Sequence, residues 1–431
     1  MTVCVVALGK IGLPLAVQIA SKNKKVIGAD INQSVVELVS RGEEPFPGEA
    51  DLGKKLREVI DDGMLTATTN TTEAVRKSDY VIVVVPVIVD IQGVPDFTAI
   101  DAATNDIAKG LKSGCLVSYE TTLPIGTTRN RFLPALESKS GLRCGSDFFL
   151  CHSPERVFSG RIFADLRKYP KLVGGTDSES SRKAAEFYEQ ILDFDHRPDL
   201  KKPNGVWDLG TCEAAEMAKL AETTYRNVNI ALANEFALHA QDLGLDIFPV
   251  IDAANSQPFS HIHQPGIAVG GHCIPVYPKF YMASDKECDI PAVSVEVNES
   301  MPGRVVEMLK DEISSLNGKR VAILGAAYRG GVKETAFSGV FPLAMEIEKL
   351  GGIPVVHDPL YSAEELEEFG LLSFDLKEHC DVAIVQADHE IYAELTADDL
   401  PGVSHLFDGR NIVNKSKLAP ITVIRLGDGT G

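Results

Sequence analysis

The amino-terminal stretch constrains the fold most, because it joins a buried strand, a glycine turn, a helix and a second strand that ends in an acid. Residues 2–8 form a continuous apolar run rich in β-branched residues, which is typical of a strand buried on both faces. A turn at residues 9–12 follows, then a helical apolar pattern, then a strand at residues 25–29 before Asp30. This order predicts a dinucleotide site.

In such a site the helix amino terminus binds the pyrophosphate, because its backbone N–H groups point outward. Asp30 would accept hydrogen bonds from the adenosine ribose and repel a 2′-phosphate, which favours NAD over NADP. Ala7 stands where the first glycine of the fingerprint is expected, and alanine is small enough to permit the turn. An ordinary βα turn is the alternative interpretation.

Composition narrows the possible partners. The chain has 431 residues and a formal net charge of -19, so we expect neither nucleic acid nor an anionic membrane as a partner.

Eight scattered cysteines without a CxxC pair indicate reduced thiols in the cytoplasm rather than a disulfide frame or a zinc site. The sequence begins directly with a strand, so we expect no signal peptide, and its longest apolar run, residues 80–89, is too short to span a bilayer.

The first third continues with further α/β units. Strands are predicted at residues 80–85, 115–120 and 148–150, each followed by a turn. Ligands bind at the carboxyl ends of strands in open α/β sheets. Residues 86, 121–124 and 151–157 follow these strands and are therefore candidates for the site. Within 151–157, Glu155 could be a base and Arg156 could bind an anion, although the stretch could equally be a turn with a solvated ion pair.

A long helix is predicted in the middle of the chain, after a linker rich in proline, glycine and charge at residues 195–210. The helix spans about residues 211–243, and its apolar surface is broad for a single helix. We expect it to join two domains and to pack against its counterpart in a homodimer or a higher oligomer. Lys219, Thr223 and Arg226 share one face of it, where snorkelling to water is the plain alternative to ligand binding.

The last third repeats the plan of the first. A strand at residues 320–324 leads into a glycine-containing turn, and a strand at residues 353–357 ends at Asp358. Further strands are predicted at residues 382–386 and 421–425. The predicted fold is α/β, with two Rossmann-like domains joined by a long central helix. The predicted domains are residues 1–197, 198–305 and 306–431.

A cysteine follows two glycines in Gly270-Gly271-His272-Cys273. Glycines let the backbone approach a ligand closely, and a thiol placed there could attack what they admit. Cysteine attacks carbon as the thiolate, which a neighbouring cation favours. The alternative is a structural cysteine in a glycine turn.

Together these motifs resemble the family of NAD-dependent nucleotide-sugar 6-dehydrogenases, which act on UDP-glucose, GDP-mannose and UDP-N-acetylhexosamines. The resemblance covers nearly the whole chain: ALGKIGLPLA with Asp30, ETTLPIGTT, SPERV, AEMAKLAETTYRNVNIALANE, GGHCIP and LGAAYRGGVKETAFS with HDP. SPERV and the sequence HQPG at residues 263–266 are most similar to the branch that uses UDP-N-acetylmannosamine or UDP-N-acetylglucosamine, and less to the UDP-glucose branch.

The resemblance implies a role for each matching residue. NAD is implied to lie on Gly9, Lys10, Ile11, Gly12, Asp30, Pro86 and Thr122. The catalytic residues are implied to be Cys273 as nucleophile, Lys219 as general acid/base, and Glu155 and Thr122 assisting water and proton movement. The UDP-sugar is implied to contact Arg156, Val157, Lys219, Thr223, Arg226, His263, Gly270, Tyr328 and Arg329. No metal is implied.

The implied reaction oxidises the C6 alcohol twice, through a thiohemiacetal and a thioester on Cys273, to a uronic acid for surface polysaccharide synthesis. Some positions depart from the family pattern: Thr223 replaces an asparagine, Tyr277 an aspartate, Gln257 and Phe259 a histidine and an arginine, and Ala336 an arginine. Two other functions stay open. One is a two-electron 3-hydroxyacid dehydrogenase, which needs no cysteine, and the other is an NAD or nucleotide-sugar sensor without catalysis.

Overall fold

The computed structural model describes residues 1–90 and 93–430. The chain divides into two compact units. Unit 1 comprises Met1–Glu222 and Lys279–Asp285, and unit 2 comprises Thr223–Pro278 and Lys286–Gly431.

Among the described residues, ten strands and eight helices lie wholly within unit 1. The strands are β1 (Thr2–Val6), β2 (Lys25–Ala29), β3 (Leu65–Thr68), β4 (Tyr80–Val83), β5 (Ile88–Val89), β6 (Pro95–Asp96), β7 (Leu116–Tyr119), β8 (Phe149–His152), β9 (Lys171–Gly175) and β10 (Val206–Asp208). The helices are α1 (Gly12–Ser21), α2 (Gln33–Ser40), α3 (Leu52–Asp61), α4 (Thr71–Arg76), α5 (Thr98–Gly110), α6 (Leu133–Ser140), α7 (Ile162–Lys168) and α8 (Ser178–Ile191), with a π-helical turn at Thr128–Phe132 before α6.

Eight of these strands form one sheet in the order β10-β9-β8-β7-β4-β1-β2-β3, and β5 and β6 form a separate antiparallel hairpin. Within this sheet β8, β7, β4, β1, β2 and β3 are parallel, whereas β9 runs antiparallel to β8. The strand order reverses between β1 and β4, which is where doubly wound sheets bind their ligands. The antiparallel β9 brings its first residue, Lys171, to the edge where β7 and β8 end.

The core of unit 1 explains why these segments form strands. Apolar side chains of β1, including Val3 and Val5, are fully buried against helix residues such as Leu15 and Ile19. Because a strand covered by helices on both faces buries all of its side chains, its sequence is a continuous apolar run. Such runs allowed the amino-terminal strands to be predicted.

A single helix of 31 residues, α9 (Cys212–Asp242), runs from the end of unit 1 into unit 2. Helix α11 (Tyr277–Ser284) likewise includes residues of both units. The long central helix was predicted at residues 211–243, and its observed bounds differ from the prediction by one residue at each end.

Unit 2 contains a parallel sheet of five strands in the order β12-β11-β13-β14-β15. These strands are β11 (Arg320–Leu324), β12 (Ile353–His357), β13 (Val382–Val385), β14 (His405–Asp408) and β15 (Thr422–Arg425). The helices are α10 (Ile247–Asn255), α12 (Asp289–Ile313), α13 (Val340–Lys349), α14 (Ala363–Glu368) and α15 (Glu390–Ala393), with a 3-10 turn at Ala397–Asp399. Buried apolar clusters lie around the sheet, with Val321, Ile323, Val382 and Phe407 among the fully buried side chains.

The predicted α/β fold with two Rossmann-like sheets is confirmed. One local prediction was wrong: the interval 195–210 is not only a linker, because β10 within it pairs with β9 at the edge of the sheet. The division into three domains stays a prediction. Across residues 1–90 and 93–430, no helix combines the length and the apolar character needed to cross a membrane.

Candidate active site

The glycine turn after β1 is held tightly against the start of α1. A Cβ on Gly12 would lie 2.0 Å from the carbonyl oxygen of Ala7, so only glycine fits there. Ala7 has a φ of 77°, a conformation that costs an L-residue with a side chain roughly 1–2 kcal/mol. The turn therefore keeps the glycine-type conformation at residue 7 although alanine occupies it.

Asp30 is held at this turn by backbone donors. Its carboxylate accepts the Leu8 N–H at 2.7 Å and the Asn32 N–H at 2.9 Å. The N-cap of α1 is Ile11, whose side chain has no polar atom to cap the helix. The first-turn N–H groups and a carboxylate at the end of β2 are what a dinucleotide requires for its pyrophosphate and ribose, so these residues fit NAD.

The other residues predicted for the cofactor and the chemistry in unit 1 also follow strand ends. Pro86 comes after β4, Thr122 after β7 and Glu155 after β8, and these three strands are neighbours in the sheet. The loops are cross-linked, because Thr121 Oγ1 donates to the Val85 carbonyl at 2.7 Å. Pro86 is exposed and Thr122 is buried.

Glu216 on α9 anchors the loop that follows Thr122. Its carboxylate accepts the Gly126 N–H at 2.6 Å and the Thr128 N–H at 2.9 Å. Burial raises the pKa of Glu216 to about 7, against the opposing effect of its hydrogen bonds to Thr128 and Gly126. The predicted cofactor loop is thereby tied to the central helix.

Glu155 belongs to a buried cluster that the sequence analysis missed. Lys171 Nζ lies 2.9 Å from Glu155 Oε2 and 2.7 Å from Glu120 Oε2. Burial is the largest single influence on the pKa of Glu155 and raises it, but the charge and hydrogen bond of Lys171, together with the hydrogen bonds from Arg156 and Glu120, leave that pKa below its usual value. For Glu120 burial dominates, and the pKa is raised.

Lys219 and Arg156 meet the same carboxylate, that of Glu222. Lys219 Nζ lies 3.3 Å from Glu222 Oε1, and Arg156 Nε donates to Glu222 Oε2 at 2.9 Å. Lys219 is 7% exposed, so this lysine does not snorkel to water. The sequence analysis missed Glu222, although its spacing of three residues from Lys219 on a helix was a usable signal.

In unit 2 the two motifs GGHC and AAYR lie against each other. A Cβ on Gly270 would lie 2.5 Å from Cβ of Tyr328, and one on Gly271 would lie 3.0 Å from the Tyr328 ring. The Gly271 N–H donates to the Ala336 carbonyl at 2.8 Å. The two glycines were expected to let a ligand approach the backbone closely. In this structure the Tyr328 side chain packs against them. A substrate contact by Gly270 stays a prediction.

Cys273 is exposed and lies two residues beyond this contact. Its carbonyl accepts the N–H of Tyr277, which opens α11, at 2.9 Å. Neighbouring His272 places Nε2 3.4 Å from Glu334 Oε2. The cysteine is therefore neither buried nor an interior packing residue, which weakens the structural alternative.

The remaining substrate-contact candidates of unit 2 lie near the central helix. The His263 N–H donates to Asn229 Oδ1 at 2.8 Å, and its ring lies edge-on to Tyr225. Burial, and then the charge of Arg226, lower the pKa of His263. Thr223 is buried.

Arg329 is exposed on the loop after β11, and two missed residues fix this loop. Arg410 donates to the Tyr328 carbonyl at 3.4 Å and to the Gln386 carbonyl at 2.5 Å. The fully buried Gln386 amide donates to the Ala327 carbonyl at 2.7 Å. Gln386 directly follows β13 and Arg410 lies two residues after β14, so neither is close to the loop in sequence.

Comparison with known proteins agrees with this arrangement. Three models of the UDP-glucose/GDP-mannose dehydrogenase family match: its NAD binding domain at residues 1–192, its central domain at 213–301 and its UDP binding domain at 322–415. A UDP-N-acetyl-D-mannosamine dehydrogenase of Pyrococcus horikoshii is 32% identical, with 100% of each chain covered. An NDP-N-acetyl-D-galactosaminuronic acid dehydrogenase of Ralstonia solanacearum is 31% identical over 97% of each chain.

Among solved structures, a UDP-D-ManNAc dehydrogenase from Pyrococcus horikoshii superposes with a TM-score of 0.89 at 30% identity, covering 100% of both chains. The matched NAD binding domain contains the glycine turn and Asp30 of unit 1, and the matched UDP binding domain covers most of the five-stranded sheet of unit 2. The chain therefore belongs to the UDP-glucose/GDP-mannose dehydrogenase family, whose members are NAD-dependent oxidoreductases.

Proposed function

We propose that this enzyme oxidises the C6 hydroxyl of a UDP-N-acetylhexosamine, with UDP-N-acetyl-D-mannosamine as the first candidate, to the uronic acid. The observation that carries the proposal is the full-length similarity, at 32% identity, to a relative named for UDP-N-acetyl-D-mannosamine. The relative named for N-acetyl-D-galactosaminuronic acid favours a second candidate, the galacto epimer.

In the proposed mechanism NAD, when bound, supplies the hydride acceptor, and each sugar uses two NAD molecules in succession, one for each oxidation. Lys219 takes the proton of the C6 hydroxyl as the alcohol becomes an aldehyde. The thiolate of Cys273 then adds to the aldehyde carbon and forms a C–S bond, and the carbonyl oxygen takes the proton back from Lys219 to give a thiohemiacetal. In the second oxidation the hydroxyl proton of the thiohemiacetal passes to Lys219 and its hydride is lost to the second acceptor, which gives a thioester. Cationic Lys219 would stabilise the developing oxyanion, an effect typically worth about 3–4 kcal/mol in the barrier.

Water then cleaves the thioester. The water oxygen bonds to the carbonyl carbon, one of its protons passes to Glu155, and the C–S bond breaks with the electron pair leaving on sulfur. Two observations support these roles: the Cys273 thiol is exposed, and the Glu155 side chain is 12% exposed with a lowered pKa. Thr122 assists with the water, and Thr223 supplies a hydroxyl to the substrate where an asparagine is usual.

We further propose that unit 2 binds the UDP group through Tyr328 and Arg329, with Arg226 and His263 toward the sugar. Arg156 and Val157 contribute substrate contacts from the loop after β8. Arg329 supports this assignment because it is exposed, and a guanidinium binds diphosphate oxygens well.

We also propose that the enzyme is a homodimer through α9. Tyr225, Leu232 and Phe236 are exposed apolar side chains on this helix, at 52%, 43% and 40% exposure. Their spacing of seven and four residues places them on one face. The eight free cysteines favour a reducing compartment such as the cytoplasm.

The test is the number of NADH molecules formed per sugar over a panel of UDP-N-acetylmannosamine, UDP-N-acetylglucosamine, UDP-N-acetylgalactosamine and UDP-glucose. The proposal predicts two NADH per sugar, with the highest kcat/KM for an N-acetylhexosamine. Binding of NAD and a UDP-sugar without NADH would instead identify a sensor, and one NADH per substrate molecule would indicate a two-electron dehydrogenase. Light scattering of the same preparation measures the oligomeric state.

A further inference from the structure

A buried lysine lies between two carboxylates at the edge of the unit 1 sheet where the predicted site residues collect. Glu120 follows β7, Glu155 follows β8 by two residues, and Lys171 is the first residue of β9. Because β9 runs antiparallel to β8, its first residue reaches the edge where the parallel strands end. The topology of the sheet, rather than sequence proximity, creates this cluster.

Each carboxylate oxygen in the cluster has a defined donor. For Glu155, Oε1 accepts the Arg156 N–H at 2.7 Å and Oε2 accepts Lys171 Nζ at 2.9 Å. For Glu120, Oε2 accepts Lys171 Nζ at 2.7 Å and Oε1 accepts the Tyr188 hydroxyl at 2.6 Å. Lys171 Nζ also lies 4.8 Å from the centre of the Tyr188 ring, where a cation is attracted to the ring face. The geometry leaves Glu155 little rotational freedom.

Accessibility separates the roles of the three residues. The side chains of Lys171 and Glu120 are 4% and 0% exposed, whereas that of Glu155 is 12% exposed. Glu155 can therefore meet a water or substrate, and Lys171 can act only through Glu155. The charge and hydrogen bond of Lys171, together with the Arg156 N–H, oppose the burial that would raise the pKa of Glu155.

We propose that Lys171 is a positioning residue for thioester hydrolysis: it orients the Glu155 carboxylate as a proton acceptor, and Glu120 keeps the ammonium in place. This inference rests on the proposed function, in which Glu155 accepts a proton from the attacking water. Lys171 Nζ is the donor that holds Oε2 of Glu155, so removal of the ammonium frees the carboxylate to turn away from the water. This change acts on hydrolysis and leaves the two hydride transfers intact.

The experiment uses the full-length enzyme with NAD and the best UDP-sugar of the panel, and it compares K171M, K171R and the surface control K168M. Lys168 is exposed and only three residues away. Stopped-flow absorbance follows the NADH burst, and intact mass spectrometry detects the sugar bound to Cys273. We expect K171M to show a burst of two NADH per active site, then turnover at least tenfold slower, with the thioester accumulating. K171R should restore most of the turnover, and K168M should match the wild type.

K171M leaves two buried carboxylates without a cation, so it can fail to fold. The double variant K171M/E120Q removes one of these two negative charges and retains Glu155. If K171M does not fold, the burst and turnover of this double variant test the proposal. E155Q removes the proton acceptor itself, so it shows the burst, slow turnover and thioester accumulation expected when hydrolysis is impaired. The double variant K171M/E155Q should turn over no more slowly than E155Q, because both substitutions affect the same step.

Two kinds of failure remain distinct. If the wild type forms no NADH with any UDP-sugar, the proposed function fails. If the wild type forms two NADH per sugar but the folded lysine variant slows the burst and the steady state equally, with no thioester, Lys171 has only a structural role and the inference is overturned.

Discussion

Glu222 places one carboxylate oxygen 3.3 Å from Nζ of Lys219, and its other oxygen accepts a hydrogen bond from Arg156. One anion thus fixes two cations that we assign to catalysis and substrate binding. We predict that E222Q lowers kcat about ten- to a hundredfold, because Lys219 loses its charged partner and shifts from its position. Steady-state NADH formation measures the effect. E235Q alters an exposed glutamate on the same helix and should retain wild-type activity, whereas E222Q activity within twofold of wild type would contradict the prediction.

Ala7 occupies a left-handed conformation, with a φ of 77°. Glycine would remove a strain of about 1–2 kcal/mol but adds about 0.5–1 kcal/mol of unfolded-chain entropy. We predict that A7G raises the free energy of unfolding by about 0.5–1 kcal/mol, seen as a higher urea midpoint. The comparison variant A16G, at a buried position in α1, should lower the same midpoint. A lower midpoint for A7G would show that the turn does not strain Ala7.

His152 is fully buried at the end of β8, and within the described residues neither ring nitrogen has a hydrogen-bond partner. Burial, and then the charge of Lys171, lower its pKa from 6.5 to about 3. The unfolded chain therefore binds more protons than the folded chain between these pH values. This contribution to stability is complete above pH 6.5 and is lost as the pH falls toward 3.

At pH 5 the loss amounts to about 2 kcal/mol relative to pH 7. Urea unfolding of the wild type and of H152L at both pH values isolates this contribution, since the other titrating groups are shared. We expect the wild type to lose about 2 kcal/mol more than H152L. Equal losses would mean that His152 titrates normally in the folded protein.

Strands that form a continuous apolar run with a clear end were predicted correctly from the sequence. Strands β2, β11 and β12 were predicted with the bounds that the structure has, because their apolar runs end at a glycine or an acid. Strands β3 and β10 were missed, because each lies at an edge of the sheet, is only partly buried and includes polar residues in place of a continuous apolar run.

Site residues were predictable from the sequence only where they belong to a recognisable local motif. Asp30 and Cys273 stand in recognisable sequences. Lys171 was missed because its partners are 51 and 16 residues away and only the antiparallel β9 brings them together. The role of Gly270 was predicted as ligand approach, but its packing against Tyr328 depends on a loop 58 positions later, which no local pattern reveals.

Gly270 has no room for a methyl group, because an added Cβ would lie 2.5 Å from Cβ of Tyr328 and 2.9 Å from the Phe337 carbonyl oxygen. G270A must displace either the loop that carries Arg329 or the loop that carries Cys273. We predict a fall in kcat/KM of about a hundredfold. For G303A the nearest atom lies 3.7 Å from the added Cβ, so its activity should be unchanged. Wild-type activity in G270A would show that the two loops move without consequence.

The central claim is that the thiol of Cys273 carries the second oxidation. The most direct measurement compares NADH and uronic acid formed by the wild type and C273S from a limiting amount of UDP-N-acetyl-D-mannosamine, with a hydrazide present to trap free aldehyde. The wild type should form two NADH and one uronic acid per sugar. C273S should form at most one NADH, no uronic acid and a trapped aldehyde. Formation of uronic acid with two NADH per sugar by C273S would contradict the account.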